Sequence, residues 1–510
     1  MASPHRRVRF QEEPETAPTP DSQADYPSRY GDDDDDDDDY DDMPPLEPER
    51  EDVVVAKRPT TADGGDVVLI RGLPDVFTIG YDCVSLTARN FVGLRGVPAG
   101  THFIWVAHPD GVSTRCGAWF VSTAGEQQQP RVHVLQWDES DEVLLVVAGA
   151  PSSPRHLTDS VYAQLVPYHD PGAGAQQVLP AGNAKAWSQL VGHVTPDALD
   201  RIVGRQHQPG EQEEQQEQQE QQQSHVGNDN RLWLVHTTDR VSGAVRLASE
   251  VELDRRMLSG DSSTMQDREL VFTFSQLSRT YTTGNSGADR TLDATDATSY
   301  MLSLLDNGSR DGSRDESRDG ADGDGDGDAA AVAELQFAYT VGTLLGNDAC
   351  IQQWWHMLLR LVLRAYLLPT LRPSLAASLL RTVAAQLSHS AEYLDASILD
   401  YGDAQSRDLR LALTVYKRRV DDLDPALADV ARPAALALAH VESVVARPPL
   451  GWDLRGDSYA RRGMATTEEG ERVEVEMAEL AAEDERGEWA PEIVELDDTG
   501  REKGLVSWSD

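Results

Sequence analysis

The sequence predicts a multidomain protein in which a β-rich N-terminal domain precedes an all-α C-terminal domain. The first observation is a series of short apolar runs, separated by turn residues, between positions 62 and 150. The second is a change to three- and four-residue apolar spacing between 330 and 446. The third is an uneven charge distribution, because the segments that flank and interrupt these regions are acidic and poor in apolar residues. We therefore expect two folded domains with disordered acidic tails and inserts.

The acidic charge is concentrated in a small part of the chain. The protein has 510 residues and a formal net charge of −43. Residues 1–52, 206–229, 306–334 and 464–510 together carry −39 of that charge. The rest of the chain is close to neutral, so the sequence does not predict a basic nucleic-acid-binding protein.

Segments of this composition bury too little apolar surface to offset the entropy of ordering them. We predict a disordered acidic extension at 1–57, a Gln/Glu-rich insert at 206–229, a disordered Asp/Gly/Ser/Arg insert at 306–329 and an acidic tail at 457–510. The run Asp32–Asp39 is interpreted as a solubilising segment. The functional alternative is that it competes with RNA for a basic protein surface.

Residues 58–205 are predicted to form the N-terminal β-rich domain, with short helices. Runs of four to six residues rich in Val, Ile, Phe and Trp, bounded by Gly, Pro and Asp, are typical of strands joined by turns. We expect an antiparallel β-sandwich or an open barrel. The runs are 67–70, 102–107, 118–121, 132–137 and 143–147. Thr195, followed by Pro196, is predicted to cap one of the helices between 158 and 204.

Residues 330–456 are predicted to form the C-terminal α-helical domain. Apolar residues recur there in three helical stripes, which indicate about five helices joined by short loops. Glu334–Leu345 is apolar nearly all round, which predicts a helix buried on most sides. The segment 230–305 is expected to link the domains and to contain strand and helix pieces.

The sequence contains no motif that predicts catalysis. It has no phosphate-binding loop, nucleophile elbow, paired-histidine zinc motif or Cys-x-x-Cys. Cys83, Cys116 and Cys350 are odd in number and far apart, which argues against a disulfide framework or a four-ligand zinc site and favours a reducing compartment. Asp322–Gly327 matches the start of a calcium-binding loop, but position 12 is Ala333 instead of Glu. We therefore predict no enzyme activity, no metal and no cofactor.

Membrane and export signals are also missing from the sequence. The longest apolar stretch, near Val143–Ala150, is far shorter than the roughly 18 residues that a membrane span needs. The first residues lack a hydrophobic signal core, so we do not expect secretion by that route.

A few conspicuous side chains are interpreted first as structural. His102, at the start of a predicted strand, and His356, on a predicted helix, are expected to be hydrogen-bonded structural groups. Trp354 and Trp355 are expected in the core, with a ligand-binding shelf as the alternative. The basic patch Lys417–Arg419 is interpreted as a solvated face first, and as a contact for an acidic partner or phosphate second.

The acidic tail contains an aromatic and β-branched island at 489–496. Such an island suits a peptide that adds a strand to an exposed sheet edge of another protein. A strand that completes this protein's own β domain is an equally open alternative. The candidate partner-binding residues are Trp489, Pro491, Ile493, Val494, Glu495 and Leu496.

Several blocks of residues occur in the order found in one known family. Residues 91–103 are similar to the signature Phe-x-Gly-x-Lys-x-Ile-Pro-Pro-Gly-x-His-Phe. Glu334–Tyr339, with Leu345–Asn347, resembles the family's most recognisable helix pair, and 490–496 is similar to its C-terminal Ala-Pro-x-Val-Val-Glu-Leu. The chain thus resembles the splicing-factor family named for a-one alpha-two repression, the assembly cofactor of the U-five small nuclear ribonucleoprotein (U-five snRNP).

This resemblance implies a non-catalytic spliceosome assembly factor with a β-rich and a helical domain. It implies binding to the RNase H-like and MPN-type domains of the core scaffold protein of the U-five snRNP. It also implies that premature helicase binding is blocked during snRNP maturation, which supports pre-mRNA splicing, and that the factor works in cytoplasm and nucleus. We expect a monomer with no direct contact to nucleic acid and none to membrane.

The resemblance further implies that phosphorylation triggers the exchange for the helicase. The region 270–300 matches the family loosely, so the phosphorylated residue cannot be transferred. We expect it among the Ser/Thr residues that join the domains, where added charge would oppose docking, and single out Ser275 and Ser299 as candidates. An alternative function is an acidic chaperone of basic proteins such as histones, which would act through the acidic segments.

Overall fold

The computed structural model describes a β-rich half, a helical half and two short hairpins. The described residues are 65–109, 114–123, 130–147, 157, 159–168, 182–204, 231–243, 269–275, 296–311, 323–394, 399, 403–455, 460–466, 472–478, 494–496 and 502–505. All of them lie within one compact unit that spans residues 59–510. No helix in these ranges combines the length and apolar character that crossing a membrane requires.

The first sheet is mixed and has five strands. Its strands are β1 (Asp66–Arg71), β4 (Gly93–Val97), β7 (Val132–Asp138), β8 (Val143–Val146) and β9 (Val166–Pro167). They lie in the order β8-β7-β1-β4-β9. β1 pairs in parallel with β7, and β4 with β9, so the expected all-antiparallel arrangement is wrong for this sheet. Apolar runs show which residues are buried, but they carry no information on the direction of the neighbouring strand.

The second sheet is antiparallel throughout and also has five strands. They are β2 (Val76–Tyr81), β3 (Val84–Arg89), β5 (Gly100–Ala107), β6 (Cys116–Ser122) and β10 (Leu232–His236). Their order is β10-β6-β5-β2-β3, and β10 belongs to the segment that we expected to link the domains. Two small strands, β11 (Arg240–Val241) and β12 (Glu269–Leu270), pair with each other.

The two sheets form an open sandwich whose central strands are covered on both faces, whereas Ser85, Thr87 and Arg89 of the edge strand β3 are exposed. Val68, Ile70 and Leu135 of the first sheet pack with Ile104 and Phe120 of the second. Successive side chains of each strand in the first sheet point to opposite faces. The face turned away from the second sheet carries Val67, Leu69, Val132 and Val134, which pack with Leu165. The sandwich prediction is confirmed, and both faces of each central strand are buried as in sheets covered on two sides.

Helices occupy the expected regions. In the described part of the β-rich half they are α1 (Asp159–Gln164), α2 (Gly182–Val191) and α3 (Pro196–Ile202). The helical half contains α4 (Thr298–Asp311), α5 (Gly323–Leu345), α6 (Asp348–His356), α7 (Leu368–Leu371), α8 (Pro373–Tyr393), α9 (Asp403–Asp421) and α10 (Pro425–Val445). Thr195 caps α3 as predicted, because its side-chain oxygen accepts the N–H of Ala198 at 3.2 Å.

One helix differs from the expectation. The apolar stripe from Ile351 onward predicts a helix that continues to Pro369, but α6 ends at His356. A π-helical turn at Met357–Leu361 and a 3₁₀ turn at Val362–Arg364 follow. The start of α4 binds the backbone groups that this irregular turn frees. Ala297 donates its N–H to the carbonyl of Arg364, and Leu367 donates its N–H to the hydroxyl of Thr298.

The β-rich and helical halves share one apolar core. The outer face of the second sheet, with Phe103, Trp119 and Trp233, packs into the same cluster as Phe337 of α5 and Trp354 of α6. Residues 331–342 of α5 are all buried, which confirms the prediction of a helix enclosed on most sides. The two predicted domains are therefore halves of one packed structure.

Two hairpins follow the helical half. Strands β13 (Ala460–Thr466) and β14 (Arg472–Ala478) pair in antiparallel fashion. So do β15 (Val494–Leu496) and β16 (Glu502–Leu505), whose register joins Val494 to Leu505 and Leu496 to Glu502. The second hairpin contains part of the tail island.

Candidate functional site

The candidate partner-binding strand is paired within its own tail. Val494, Glu495 and Leu496 form β15, whose partner is β16, and neither five-stranded sheet includes β15 among the described strands. Trp489, Pro491 and Ile493 lie outside the described residues. The alternative of a strand that completes the protein's own β-sandwich is therefore not what the structure shows for 494–496.

The two candidate phosphorylation sites differ in exposure. Ser275 is buried, with 4% of its surface exposed, and follows the equally enclosed Phe274. Ser299 is exposed in the first turn of α4. Its neighbour Thr298 is fixed, because the Thr298 N–H donates to Asp296 at 2.8 Å and the Thr298 hydroxyl accepts the N–H of Leu367 at 3.1 Å. Ser299 thus offers an accessible hydroxyl on an ordered helix end.

A buried polar cluster of the β-rich half surrounds Asp82. Its carboxylate binds His102 Nδ1 at 2.7 Å, accepts the N–H of Phe103 at 3.0 Å and accepts the hydroxyl of Tyr168. His102 Nε2 lies 2.9 Å from the carbonyl oxygen of Pro98. Both ring nitrogens of His102 are therefore engaged, so this histidine is not placed to deprotonate a nucleophile. The prediction that His102 is structural is confirmed.

The hydrogen-bond partners of His102 determine its charge. The Pro98 carbonyl and the Asp82 carboxylate are both acceptors, so each ring nitrogen must carry a proton when Asp82 is ionised. Burial alone would lower the pKa of His102, but the charge and hydrogen bond of Asp82 outweigh it and raise that pKa. Asp82 and His102 therefore form a buried hydrogen-bonded pair, with 4% of the His102 surface exposed.

The main polar contacts between the two halves begin with Glu334 on α5. This carboxylate is fully buried, and its oxygens accept the N–H groups of Thr273 at 3.0 Å and Phe274 at 3.1 Å. Arg201 of α3 approaches it to 3.5 Å. Burial raises the pKa of Glu334, and the arginine and the two N–H groups oppose that effect. Glu334 therefore fixes the 272–275 segment to the central helix.

The next residues of α5 contact the β-rich half directly. Gln336 accepts the N–H of His193 at 2.8 Å and donates to the carbonyl of Gln189 at 3.2 Å. The ring of Phe337 stacks on Trp119 of the second sheet, with centroids 5.7 Å apart. Successive side chains of one helix thus bind the helices and the sheet of the N-terminal half.

The corner between α5 and α6 is a third point of attachment. Asn347 caps α6, because its side-chain oxygen accepts the N–H of Cys350 at 2.8 Å. Its amide nitrogen lies within 3.0 Å of the carbonyl oxygens of His236, Thr237 and Asp239. The hydroxyl of Thr237 donates in turn to the carbonyl of Leu345 at 2.9 Å. The turn after β10 is therefore locked to the helix corner.

A buried histidine in the helical half makes stability dependent on pH. The hydroxyl of Tyr339 donates its proton to the carbonyl of Gln386 at 2.8 Å, and His389 Nδ1 lies 3.0 Å from the same hydroxyl oxygen. Burial lowers the pKa of His389 to about 4. Between pH 6.5 and 4 the unfolded chain binds a proton that the native protein does not, so this histidine costs stability as the pH falls. The loss approaches roughly 3 kcal/mol near pH 4.

We expect the variant His389→Phe to lose this part of the acid sensitivity. The phenyl ring retains stacking on Tyr393, and Tyr339 keeps its bond to Gln386. Urea denaturation at pH 7 and pH 4.5 should show a smaller drop in the free energy of unfolding for the variant than for the wild type. Exposed His440→Phe is the control. Equal acid losses in wild type and His389→Phe would contradict this origin.

The remaining candidates take structural positions. Trp354 and Trp355 are buried against each other, as predicted for core residues. Lys417 pairs with Asp421, and the Arg419 guanidinium lies over the ring of Tyr366 at 5.5 Å. Residues 323–327, which match part of a calcium loop, form the start of α5. Within the described residues, no group of three or more His, Cys, Asp or Glu is arranged to hold a metal ion.

Sequence reasoning did not identify the polar attachment points, although a signal for them exists. Glu334 and Gln336 lie in a helix whose apolar pattern predicts burial on most sides. A carboxylate or amide in such a helix needs buried hydrogen-bond partners, because an unsatisfied buried polar group is costly. The sequence therefore marks these residues as contacts, but it does not reveal which backbone groups they bind.

Comparison with known proteins covers both halves of the structure. A family model described as the AAR2 N-terminal domain matches residues 64–204. A second model, described as the AAR2 C-terminal repeat region, matches residues 272–447. No curated protein matches the chain. The two matched ranges together span more than half of the chain and contain the Asp82 cluster and the α5 contacts.

Proposed function

Because the chain belongs to the AAR2 family, a family of splicing-related assembly factors, we propose that it binds the core scaffold protein of the U-five snRNP. It binds the RNase H-like and MPN-type domains of that protein and prevents the helicase from binding until the U-five snRNP matures. It acts as a monomer in cytoplasm and nucleus, performs no catalysis and makes no direct contact with nucleic acid.

The observation that carries this proposal is the single core that joins the two family-matched halves. Gln336 and Phe337, which belong to the residues that resemble the family, contact His193 and Trp119 of the other half. Arg201 of that half also approaches Glu334 to 3.5 Å. A rigid body of this kind can contact two separate domains of a large partner at a fixed spacing. Among the described residues, the polar clusters hold packed elements together. This favours a binding role over an enzymatic one.

The tail is proposed to bridge the partner's domains. β15 carries Val494–Leu496 in an extended conformation, and one of its edges is already paired with β16. A sheet edge of the partner can pair with the opposite edge or displace β16. Each backbone hydrogen bond gained in this way is worth about 0.5–1.5 kcal/mol net.

Deleting residues 488–510 is expected to weaken binding to the purified RNase H-like and MPN-type domains by about tenfold or more, equivalent to about 1.4 kcal/mol. Calorimetric titration gives the dissociation constant. The matched control is deletion of the Gln/Glu-rich insert 206–229, which removes a similar length and also removes negative charge. If the tail deletion binds as tightly as the wild type, β15 has no part in the interaction.

Ser299 is proposed as the regulatory phosphorylation site in preference to Ser275. A kinase can reach its exposed hydroxyl, whereas Ser275 would have to leave the core first. A phosphate in the first turn of α4 is compatible with the helix dipole, and its added negative charge would oppose docking. Phosphopeptide mapping of protein isolated with its partner tests the site. Modification elsewhere, with Ser299 unmodified, excludes it.

The second candidate is an acidic chaperone of basic proteins such as histones, which the charge of −39 in four segments favours. Affinity purification followed by mass spectrometry separates the two functions. Recovery of the core scaffold protein without its helicase supports the first, and recovery of histones supports the second. Binding carried by acidic segments should also fade steeply as salt rises, because ions screen exposed charges.

A further inference from the structure

Helix α9 is covered on two opposite sides. Leu411 and Val415 expose only 3% and 7% of their surface, and their spacing places both on one side, called here the outer face of α9. The opposite, core-facing side carries the α9 residues that pack in the main apolar cluster, namely Leu409, Ala412, Leu413, Tyr416 and Val420. Because the outer face is buried as well, a second element covers it.

Strand β13 of the first tail hairpin lies beside α9. The π-helical turn, the 3₁₀ turn and α10 contact α9 as well, and they belong to the main cluster through Leu361, Val362 and Val441. These neighbours account for the core-facing side of the helix. The outer face is thus the side that β13 covers.

The chain is fixed to the helical half shortly before the hairpin. The guanidinium of Arg455 donates to the carboxylate of Glu442, and the N–H of Trp452 donates to the carbonyl of Val445 at 2.8 Å. Strand β13 begins five residues after Arg455. Its first residue therefore lies within about 18 Å of this attachment.

The register of the hairpin gives it one apolar face. Strand β14 reads Arg-Val-Glu-Val-Glu-Met-Ala, so apolar and acidic residues alternate. Directly paired residues share a face, and Val473 pairs with Ala465 while Val475 pairs with Gly463. A two-stranded hairpin is only marginally stable in water by itself. Its stability therefore requires packing of the apolar face against another element.

We propose that the apolar face of the β13–β14 hairpin docks on the outer face of α9 and anchors the tail to the helical half. The role of this anchor rests on the proposed function, because the anchor positions β15 for the partner protein. Val494 follows Ala478 by 16 residues and follows Arg455 by 39. At no more than about 3.6 Å per residue, docking limits β15 to about 60 Å from the hairpin, whereas without it the limit is about 140 Å from Arg455.

This shorter connection increases the affinity of a partner that binds both the folded body and the tail. The effective concentration of a tethered segment falls roughly as the −3/2 power of the tether length. The change from 39 to 16 residues therefore corresponds to about a fourfold gain in affinity.

Hydrogen exchange of the full chain, measured by mass spectrometry, tests the docking. Val475→Asp places a charge on the apolar face and should speed exchange in 460–478 at least about tenfold. Thr466→Asp is the control, because its register places the same charge on the other face, opposite Arg472. Leu411→Ala, which changes only the α9 side of the contact, should also speed exchange in 460–478. Leu438→Ala, at another buried leucine of the helical half, controls for a general loss of stability.

Calorimetric titration against the purified RNase H-like and MPN-type domains tests the anchoring role. Val475→Asp should bind about fourfold more weakly than the wild type and than Thr466→Asp. In the chain that lacks residues 488–510, Val475→Asp should have no further effect, because no tail strand remains to be positioned.

The outcomes separate the two proposals. If exchange in 460–478 is unchanged in Val475→Asp, or is no faster in Leu411→Ala than in Leu438→Ala, the hairpin does not dock on α9 and the inference is overturned. If the hairpin undocks but the affinity of Val475→Asp equals that of the wild type, the anchoring role is wrong. If the wild type does not bind these domains, the proposed function fails, and hydrogen exchange still decides the docking.

Discussion

Replacing Glu334 by alanine should lower the free energy of unfolding by about 3–5 kcal/mol, because each buried donor left unpaired costs roughly 1–3 kcal/mol and the lost packing adds to that cost. The change leaves the buried N–H of Phe274 and the half-buried N–H of Thr273 without their acceptor and opens a cavity beside α5. Guanidinium denaturation at pH 7, followed by tryptophan fluorescence, measures the loss.

Two variants make this experiment specific. Glu392→Ala removes the same side chain from an exposed position of α8 and should change stability by less than about 0.5 kcal/mol. Glu334→Gln retains one acceptor oxygen, so its cost should lie between those of the two alanine variants. If Glu334→Ala is as stable as Glu392→Ala, the carboxylate does not hold the 272–275 segment.

Gly80→Ala is expected to cost a similar amount, about 3–5 kcal/mol, because it displaces a buried tryptophan. A Cβ atom at position 80 would lie 1.9 Å from Cε2 of Trp105. Trp105 is 6% exposed and is covered on one side by the Arg115 guanidinium, at 5.2 Å from the ring centroid. The Trp105 indole ring cannot move aside without leaving the face of the second sheet that the helices cover.

A double-mutant cycle tests whether the clash with Trp105 causes the loss of stability in Gly80→Ala. In the Trp105→Ala background the space beside position 80 is free, so adding Gly80→Ala should cost less than about 1 kcal/mol. Chemical denaturation of the four proteins gives the coupling free energy. A cost of Gly80→Ala that is equal in both backgrounds would show that the strand backbone, and not Trp105, requires glycine.

The elements themselves were largely predictable because each depends on local pattern. The apolar runs correctly indicate β5, β6, β7 and β8, and Thr195-Pro196 correctly indicates the start of α3. Strand direction and partner choice were not predictable. The pairing of β1 with β7 joins residues about 65 positions apart, and apolar periodicity shows only which side of a strand is buried.

The shared core could not be read from the sequence for the same reason. Trp119 and Phe337 each appear in an apolar pattern, but nothing in either pattern indicates that their rings stack.

The tail shows a second limit of prediction from sequence. The island at 489–496 predicts an extended strand, and β15 confirms that conformation for 494–496, whereas pairing with β16 depends on a neighbouring segment rich in charge.

The stacking of Trp119 on Phe337 has a consequence for synthesis of the protein in the cell. A ribosome adds about 5–20 residues per second, so the tryptophan emerges roughly 10–40 s before the phenylalanine that covers it. During that interval the outer face of the nascent β-sandwich exposes Phe103, Trp119 and other large rings to solvent. Nascent chains therefore expose an apolar surface that is prone to aggregation. Chaperones that bind such surfaces would protect the chains until helix α5 has been synthesised and covers it.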